Sequence, residues 1–308
     1  MPASIRIGTR ESQLAVWQAT QVQSLLALQN LSAELVYIKS EGDIDLKTPL
    51  YEIGVQGIFT KSLDIALLEN RIDLAVHSLK DVPTYLPMGV RQAAVLPRGP
   101  VYDLMVFKTN GDFLLDPGYS ANIATSSIRR RAVWLSKYPE HVIHNLRGNV
   151  NTRLQKLASE SWDAAIFAQA GLERLHLRPE TSRVIDWMLP APAQGAIGVF
   201  CRKEDEETYQ ACQQFNDPDT ALCTRIERDF LRTLEGGCST PVSALAQVEE
   251  GEIRFRGNIV SLDGRQQAGT EKRFALAAAE GMGKALACEL LADGAQEIAD
   301  GIRQNAAR

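Results

Sequence analysis

Ile72-Asp73-Leu74-Ala75-Val76-His77-Ser78-Leu79-Lys80-Asp81-Val82-Pro83 is an apolar run that ends abruptly in polar and charged side chains. Residues 72–76 read as a strand buried in a sheet. Pro83 lacks the backbone N–H and blocks further helix or ladder growth. The strand therefore delivers Ser78, Lys80 and Asp81 at its carboxyl end, where open α/β sheets bind ligands. Taken alone, Lys80 beside Asp81 reads equally as a solvated surface pair of little energetic consequence.

The same logic recurs outward along the chain. Residues 4–7 predict a strand, followed by the glycine turn Gly8-Thr9-Arg10-Glu11-Ser12 and a helix over 13–29. Leu14, Trp17, Gln21, Leu25 and Leu28 mark the expected inner face of that helix. A strand, a glycine turn and a helix N-terminus together present free N–H groups at the positive dipole end, a ready anion site. Arg10 adds a fixed charge there, although one loop arginine alone is equally a solvated one. Residues 122–124 predict a short strand before Thr125-Ser126-Ser127-Ile128-Arg129-Arg130-Arg131, cap-forming side chains that open a helix. Arg129 and Arg130 can fork onto carboxylates. A strand over 142–146 leads into Arg147-Gly148-Asn149 and a helix carrying Arg153. Arginines at separate strand–turn–helix junctions point to a polyanionic ligand. Carboxylates suit it better than phosphates, because no Gly-rich Walker pattern is present.

Other stretches set the organisation. A strand over 34–39 precedes residues 40–58, which carry Gly42, Gly54 and Gly57 with little periodicity; loops of that length are usually functional lids or disordered. A helix is expected from Phe59 or Thr60 to Leu68, and strands over 90–96, 103–107, 163–167, 184–188 and 196–201. Pro97-Arg98-Gly99-Pro100 and Pro190-Ala191-Pro192-Ala193-Gln194-Gly195 read as hinges, and Asn216-Asp217-Pro218-Asp219 as a linker. Beyond it, Leu222, Ile226, Phe230 and Leu234 recur every four residues, the apolar stripe of an amphipathic helix. Gly236 and Gly237 stop that helix and set Cys238 on a tight turn among small residues. A thiol there can be reached by an electrophile, but the plainer reading of this stretch alone is a small, half-buried cap residue. Strands over 242–248, 253–260 and 267–274, with an Asp263-Gly264 hairpin turn, and a helical end over 276–303 make the last third α+β with an antiparallel sheet.

Composition sets outer bounds. The chain has 308 residues, 45% hydrophobic and 23% charged, enough for two or three soluble domains. Its net charge of −5 leaves no global basic field for nucleic acid. Cysteines at 201, 212, 223, 238 and 288 are odd in number with no CxxC pair, against a disulfide framework and a zinc site. No metal is expected. The N-terminus lacks the apolar core of a signal peptide, and no apolar run reaches membrane-spanning length. A cytoplasmic location follows as the expectation.

In this order, Gly8-Thr9-Arg10-x-Ser12, His77-Ser78-x-Lys80-Asp81-Val82-Pro83, Thr125-Ser126-Ser127-x-Arg129-Arg130, Leu146-Arg147-Gly148-Asn149, Pro190-Ala191-Pro192-Ala193-Gln194-Gly195 and Leu234-Glu235-Gly236-Gly237-Cys238 closely resemble the porphobilinogen deaminase family, also called hydroxymethylbilane synthases. The resemblance implies an α/β fold with two periplasmic-binding-protein-like lobes and a double crossover, plus a small C-terminal α+β domain with a three-stranded antiparallel sheet. The implied domains are 1–97 plus 197–217, 102–192, and 220–308. It further implies a monomeric transferase of tetrapyrrole and haem biosynthesis. Such an enzyme joins four porphobilinogen molecules with loss of ammonia and releases hydroxymethylbilane by hydrolysis. The covalent dipyrromethane cofactor is implied on Cys238 through a thioether, and catalysis on Asp81. Implied cofactor contacts are Ser78, Lys80, Asp81, Thr125, Ser126, Ser127, Arg129, Arg130, Arg147 and Gly148. The implied groups for porphobilinogen and the growing oligopyrrole are Arg10, Ser12, Arg147, Arg153 and Arg174. Each added ring brings two carboxylates, and arginine stays protonated and forks to them.

The sequence departs from the family in one place. Many relatives carry lysine in a Gly-Lys-Gly-Leu-Phe run, where this chain reads Val55-Gln56-Gly57-Ile58-Phe59; Gln56 lacks that charge. The four histidines at 77, 141, 144 and 176 read as structural or solvent-facing, and the remaining cysteines as packing or surface residues. A two-lobed binding protein for a polycarboxylate, without catalysis, would also explain the arginines and hinges. It leaves Cys238, and a carboxylate among cationic groups at Asp81, without a purpose. A thiol-dependent acyl transferase lacks a recognisable histidine partner for Cys238.

Overall fold

The computed structural model describes residues 4–39, 60–234 and 240–306. The Cys238 turn and the 41–58 loop with Gln56 lie outside the described residues. The chain forms two compact units: described residues up to 99 together with 195–222 make the first, and 100–194 with those from 223 onward make the second.

The first unit is a five-stranded sheet. Its elements are β1 (Ile5–Thr9), α1 (Gln13–Ala27), β2 (Ala33–Tyr37), α2 (Lys61–Leu68), β3 (Leu74–Ser78) and β4 (Val90–Val95), then β10 (Ile197–Arg202) and α6 (Glu206–Gln213). The order is β2-β1-β3-β10-β4. β1 runs parallel to β2 and β3, whereas β10 is antiparallel to both neighbours, with Ile197 opposite Ser78. The segment after Gly195 thus returns to the first sheet. At the other end of β3, Asp73 binds Arg6 Nη2 and Arg202 Nη2, each at 2.8 Å. Burial alone would raise the Asp73 carboxyl, but hydrogen bonds from Arg6 and Arg202 outweigh it and hold it down to about 2.

Three expectations for this unit are corrected. Gly8 lies inside β1 rather than in the turn after it, because a Cβ there would come within 2.3 Å of Ile72 Cδ1 and 2.7 Å of Leu63 Cδ2. The buried face of α1 is Ala15, Gln18, Ala19, Val22 and Leu26, one position round from the expected Leu14 row. Small side chains let the helix sit close to the sheet, Trp17 and Leu25 only flank that core, and Leu28 is 82% exposed. Of the expected 216–219 linker, 216 and 217 lie between helices and the rest is helical: α7 spans Pro218–Thr233. Asp217 caps it by accepting from Thr220 N at 2.8 Å, and Pro218 takes the first helical position, where no N–H is needed.

The second unit contains β5 (Asp103–Phe107), β6 (Asn122–Ala124), α3 (Ile128–Lys137), β7 (Val142–His144), α4 (Val150–Ser159), β8 (Ala164–Ala168), α5 (Gln169–Arg174) and β9 (Ser182–Ile185). The sheet order is β7-β6-β8-β5-β9. β6 is parallel to β7 and β8, while β5 is antiparallel to β8 and β9. β9 ends earlier than expected, and β7 stops at His144 rather than Leu146. Apolar side chains pack on both sheet faces, with Met105, Ile123, Trp134 and Ile166 on one and Leu104, Val106, Leu146 and Phe167 on the other.

The same unit carries β11 (Val242–Glu249), β12 (Glu252–Val260) and β13 (Gln267–Ala275), an antiparallel sheet in sequence order. The α7 stripe is buried as expected at Ile226, Phe230 and Leu234. Phe230 meets Phe255 edge-on, with ring centroids 5.0 Å apart. Gly257 makes room for it, since a Cβ there would lie 2.8 Å from the Phe230 ring. The helical end is broken in two, α8 (Met282–Leu290) and α9 (Gln296–Ala306). Gly294 at φ 103° supplies the left-handed break between them, and Gly281 at φ 70° stands at the start of α8.

Candidate functional site

In the first unit the sequence-predicted groups gather at one sheet end, because β1 and β3 are parallel neighbours. Ser12 caps α1: its hydroxyl accepts from Ala15 N at 3.4 Å and its carbonyl from Val16 N at 3.0 Å. Arg10 precedes it, half-buried. Ser78 is the last residue of β3, and its Oγ accepts from Gln18 Nε2 at 2.8 Å. The strand runs two residues further than expected, so His77 belongs to it. Leu79–Asp81 then forms one 3₁₀ turn. Buried Leu79 pins the turn through its N–H to Ala196 O at 3.0 Å, leaving Lys80 half-buried and Asp81 exposed. His77 is buried, its ring edge-on to Phe200, and its Nε2 has no partner among the described residues. Burial, aided by the Arg10 charge, pushes its pKa down to about 3. It is a neutral structural imidazole.

In the second unit β7, β6 and β8 run in parallel, and their carboxyl ends share one edge. Thr125 Oγ1 accepts from Ser127 N at 3.2 Å, Ser126 Oγ donates to Leu146 O at 2.8 Å, and Ser127 Oγ caps α3 by accepting from Arg130 N at 3.4 Å. After β7, Arg147 is buried and Gly148 turns the chain at φ 111°. Asn149 caps α4 through Thr152 N at 3.0 Å. Arg153 Nε donates to Gly148 O at 2.7 Å and Lys156 Nζ to Arg147 O at 3.2 Å. Arg174 ends α5, and burial pulls its pKa down to about 10. Arg131 points outward, exposed.

Arg129 and Arg130 are both buried, and they converge on Asp103, which is fully buried. Asp103 starts β5 opposite Ala168, so its carboxylate lies at the same sheet edge. Arg129 Nη2 donates to Oδ2 at 2.6 Å, and Arg130 Nη2 and Nε donate to Oδ1 at 2.8 and 3.1 Å. Carbonyls take the outer nitrogens: Arg129 Nη1 reaches Leu189 O at 2.9 Å and Arg130 Nη1 reaches Ile166 O at 3.0 Å. Burial would raise the Asp103 carboxyl, but the two guanidiniums hold it well below the usual range. Burial pulls the Arg129 pKa down, against the attraction of Asp103. Among the described residues, two cations face one carboxylate, and Arg129 Nε–H is buried without a partner. Counted over the described residues, the cluster is one negative charge short, and an anionic ligand would complete it.

A family model for the porphobilinogen deaminase dipyrromethane cofactor binding domain matches residues 5–210, and one for the porphobilinogen deaminase C-terminal domain matches 221–292. The chain belongs to the porphobilinogen deaminase family. Members bind porphobilinogen and a dipyrromethane cofactor in tetrapyrrole biosynthesis. The cationic cluster and the helix N-termini at Ser127 and Asn149 suit the carboxylate arms of such a cofactor.

Solved structures with a related outline include YhfZ from Shigella flexneri. It is 15% identical with a TM-score of 0.37, over 73% of this chain and 95% of that one. The periplasmic VFT2 domain of Bordetella pertussis BvgS is 13% identical with a TM-score of 0.42, over 70% and 89%. A putative periplasmic sulfonate-binding protein, SsuA from Methylobacillus flagellatus, is 13% identical with a TM-score of 0.38, over 74% and 68%. Among the described residues no helix is long and apolar enough to cross a membrane.

Sequence reading passed over several of the groups that hold these side chains in place. Gln18 lies on the buried face of α1, one position round from the expected row; its signal is an amide between Ala15 and Ala19. Asp103 looked like the start of another strand. Glu227 follows Ile226 of the apolar stripe, yet is fully buried. Cys201, Cys212 and Cys223 are buried and Cys288 is exposed.

Proposed function

We propose that this chain is a hydroxymethylbilane synthase. It condenses four porphobilinogen molecules head to tail on a dipyrromethane held through a thioether to Cys238, then releases the linear tetrapyrrole by hydrolysis. The observation that carries the reading is the buried Arg129–Asp103–Arg130 cluster, one negative charge short among the described residues, in a chain of this family. When bound, the cofactor would supply the pyrrole carbon to which the first substrate ring is joined, each later ring joining the ring before it.

The chain's own residues do the rest. Arg129, Arg130 and Arg147 bind cofactor carboxylates, helped by Ser78, Lys80, Thr125, Ser126, Ser127 and Gly148. Arg10, Ser12, Arg147, Arg153 and Arg174 hold the acetate and propionate arms of substrate. As the substrate's aminomethyl C–N bond breaks, ammonia leaves and positive charge spreads over the pyrrole. The Asp81 carboxylate, exposed on its short turn, stabilises that charge near the pyrrole N–H groups and accepts and returns protons. Hydroxyls that cap helices keep N–H groups aimed at the ligand without adding negative charge. The three domains implied by the sequence, a monomer and a cytoplasmic site of action belong to the same proposal.

Intact-mass measurement on active protein tests it. One covalent dipyrrole is expected on the peptide containing Cys238, and Cys238→Ser should lose both adduct and activity. With the adduct in place, Asp81→Asn should release ammonia in a single turnover far more slowly than Asp81→Glu. Active wild-type protein with no added mass would reject the covalent primer, and equal turnover by the two Asp81 variants would remove the carboxylate's charge from the mechanism.

A further inference from the structure

Gln194 closes the Pro190–Gly195 segment just after a strained residue. Ala193 sits at φ 61°, a left-handed conformation that a side chain resists. A buried carboxylate holds it there: Ala193 N donates to Glu227 Oε2 at 2.6 Å, while Glu227 Oε1 accepts from Ala246 N at 2.7 Å. Gln194 N also donates to Ala191 O at 2.9 Å. The turn therefore aims the Gln194 side chain in one direction, and the residue is buried. Its Nε2 donates to Val101 O at 2.8 Å and to Asp103 Oδ1 at 2.9 Å.

That last bond changes how Asp103 is held. Without Gln194, the two arginines are the only described residues that orient its carboxylate. With Gln194, Oδ1 is anchored from the backbone side, and the arginines settle against a fixed acceptor. We propose that Gln194 is a positioning residue for Arg129 and Arg130, itself set by the clamp of Glu227 on Ala193. It fixes Asp103, and through Asp103 it holds both guanidiniums ready for a carboxylate ligand. The inference rests on the reading of that pair as the cofactor-carboxylate site. An apolar residue of equal volume would fill the same space, so packing alone does not account for an amide with this pair of acceptors.

The test uses the full chain made without porphobilinogen, as wild type, Gln194→Met and Gln194→Glu. Each is mixed with hydroxymethylbilane, and cofactor acquisition is followed by intact mass. Gln194→Met should fold with a Tm near wild type yet load about ten-fold more slowly, in keeping with loss of one hydrogen bond to a charged group. Gln194→Glu, which sets a second carboxylate against Asp103, should be slower still and guards against poor folding of the first variant. In an Arg129→Lys, Arg130→Lys background the Gln194→Met change should add less than about two-fold, because nothing remains to be positioned. A second readout needs no cofactor: peptide-mapped modification of Arg129 and Arg130 by phenylglyoxal should be faster in Gln194→Met. Unchanged arginine reactivity, or the same fold-loss in both backgrounds, overturns the positioning role. Failure of wild type to load at all, with arginine reactivity raised as expected, overturns only the cofactor reading.

Discussion

His77 keeps a neutral imidazole inside the first unit because burial disfavours its charged form, down to about pH 3. An unfolded chain protonates the same ring near its ordinary pKa of about 6.5. Between those values the unfolded state binds more protons, so the residue's contribution is complete above about pH 6.5 and is lost as pH falls toward 3. Its slope is at most one proton, about 1.4 kcal/mol per pH unit. His77→Phe should fit beside Phe200, since Nε2 has no partner to lose among the described residues. Urea unfolding at several pH values from about 7.5 to 4.5 should show a shallower acid loss in the variant than in wild type, close to one proton's worth. An unchanged slope would mean that the ring is solvated or charged in the folded state.

Elements here owe their positions to close backbone approaches as much as to apolar faces. The turn between β12 and β13 is the clearest case. Gly264 sits at φ 78°, and a Cβ there would lie 2.6 Å from Ser136 N and 2.8 Å from Ala132 O, both backbone atoms of α3. The hairpin signal Asp263-Gly264 was legible in the sequence, but its packing on α3 was not, because nothing local encodes which helix a turn will meet. Gly264→Ala adds φ strain and a backbone clash together, so a loss of at least about 2 kcal/mol is expected. α3 is capped by Ser127 and carries Arg129 and Arg130. Cofactor loading should therefore fall with the thermal midpoint. Gly251, also at positive φ but with nothing within 4 Å of a Cβ, is the control: Gly251→Ala should lose stability through strain alone and load normally.

At the scale of the molecule the arginines divide between the two units. Arg129 and Arg130 share Asp103, so Arg130→Ala removes one partner of a buried network, a change that typically costs about 3–5 kcal/mol. Arg10→Ala makes no such hole, since Arg10 is only half-buried. Under the proposed function, intact mass should find Arg130→Ala largely without cofactor, while Arg10→Ala keeps it. Steady-state ammonia release by Arg10→Ala should then show a raised KM for porphobilinogen. Full loading of Arg130→Ala together with normal kinetics of Arg10→Ala would remove the division of labour between cofactor and substrate arginines.

Period, turn residues and caps are local properties, and they were readable without coordinates. The strand before Ser78, the cap-forming run Thr125–Ser127, the apolar stripe of α7 and the antiparallel end of the chain all came from them. So did the order of motifs that marks the family. What a side chain meets across a fold is not local. Gly8 read as a turn, yet it is kept small by Ile72 and Leu63 approaching from elsewhere in the chain. Gln18 interrupts an apolar face to bind Ser78, 60 residues away. The sequence named Arg129 and Arg130 as carboxylate binders, but only the tertiary structure showed that they already share one. Asp103 reaches Arg129 across 26 residues of chain, Gln194 reaches Asp103 across 91, and Glu227 reaches Ala193 across 34. A buried charge needs partners wherever the fold can bring them, and no local pattern records that requirement.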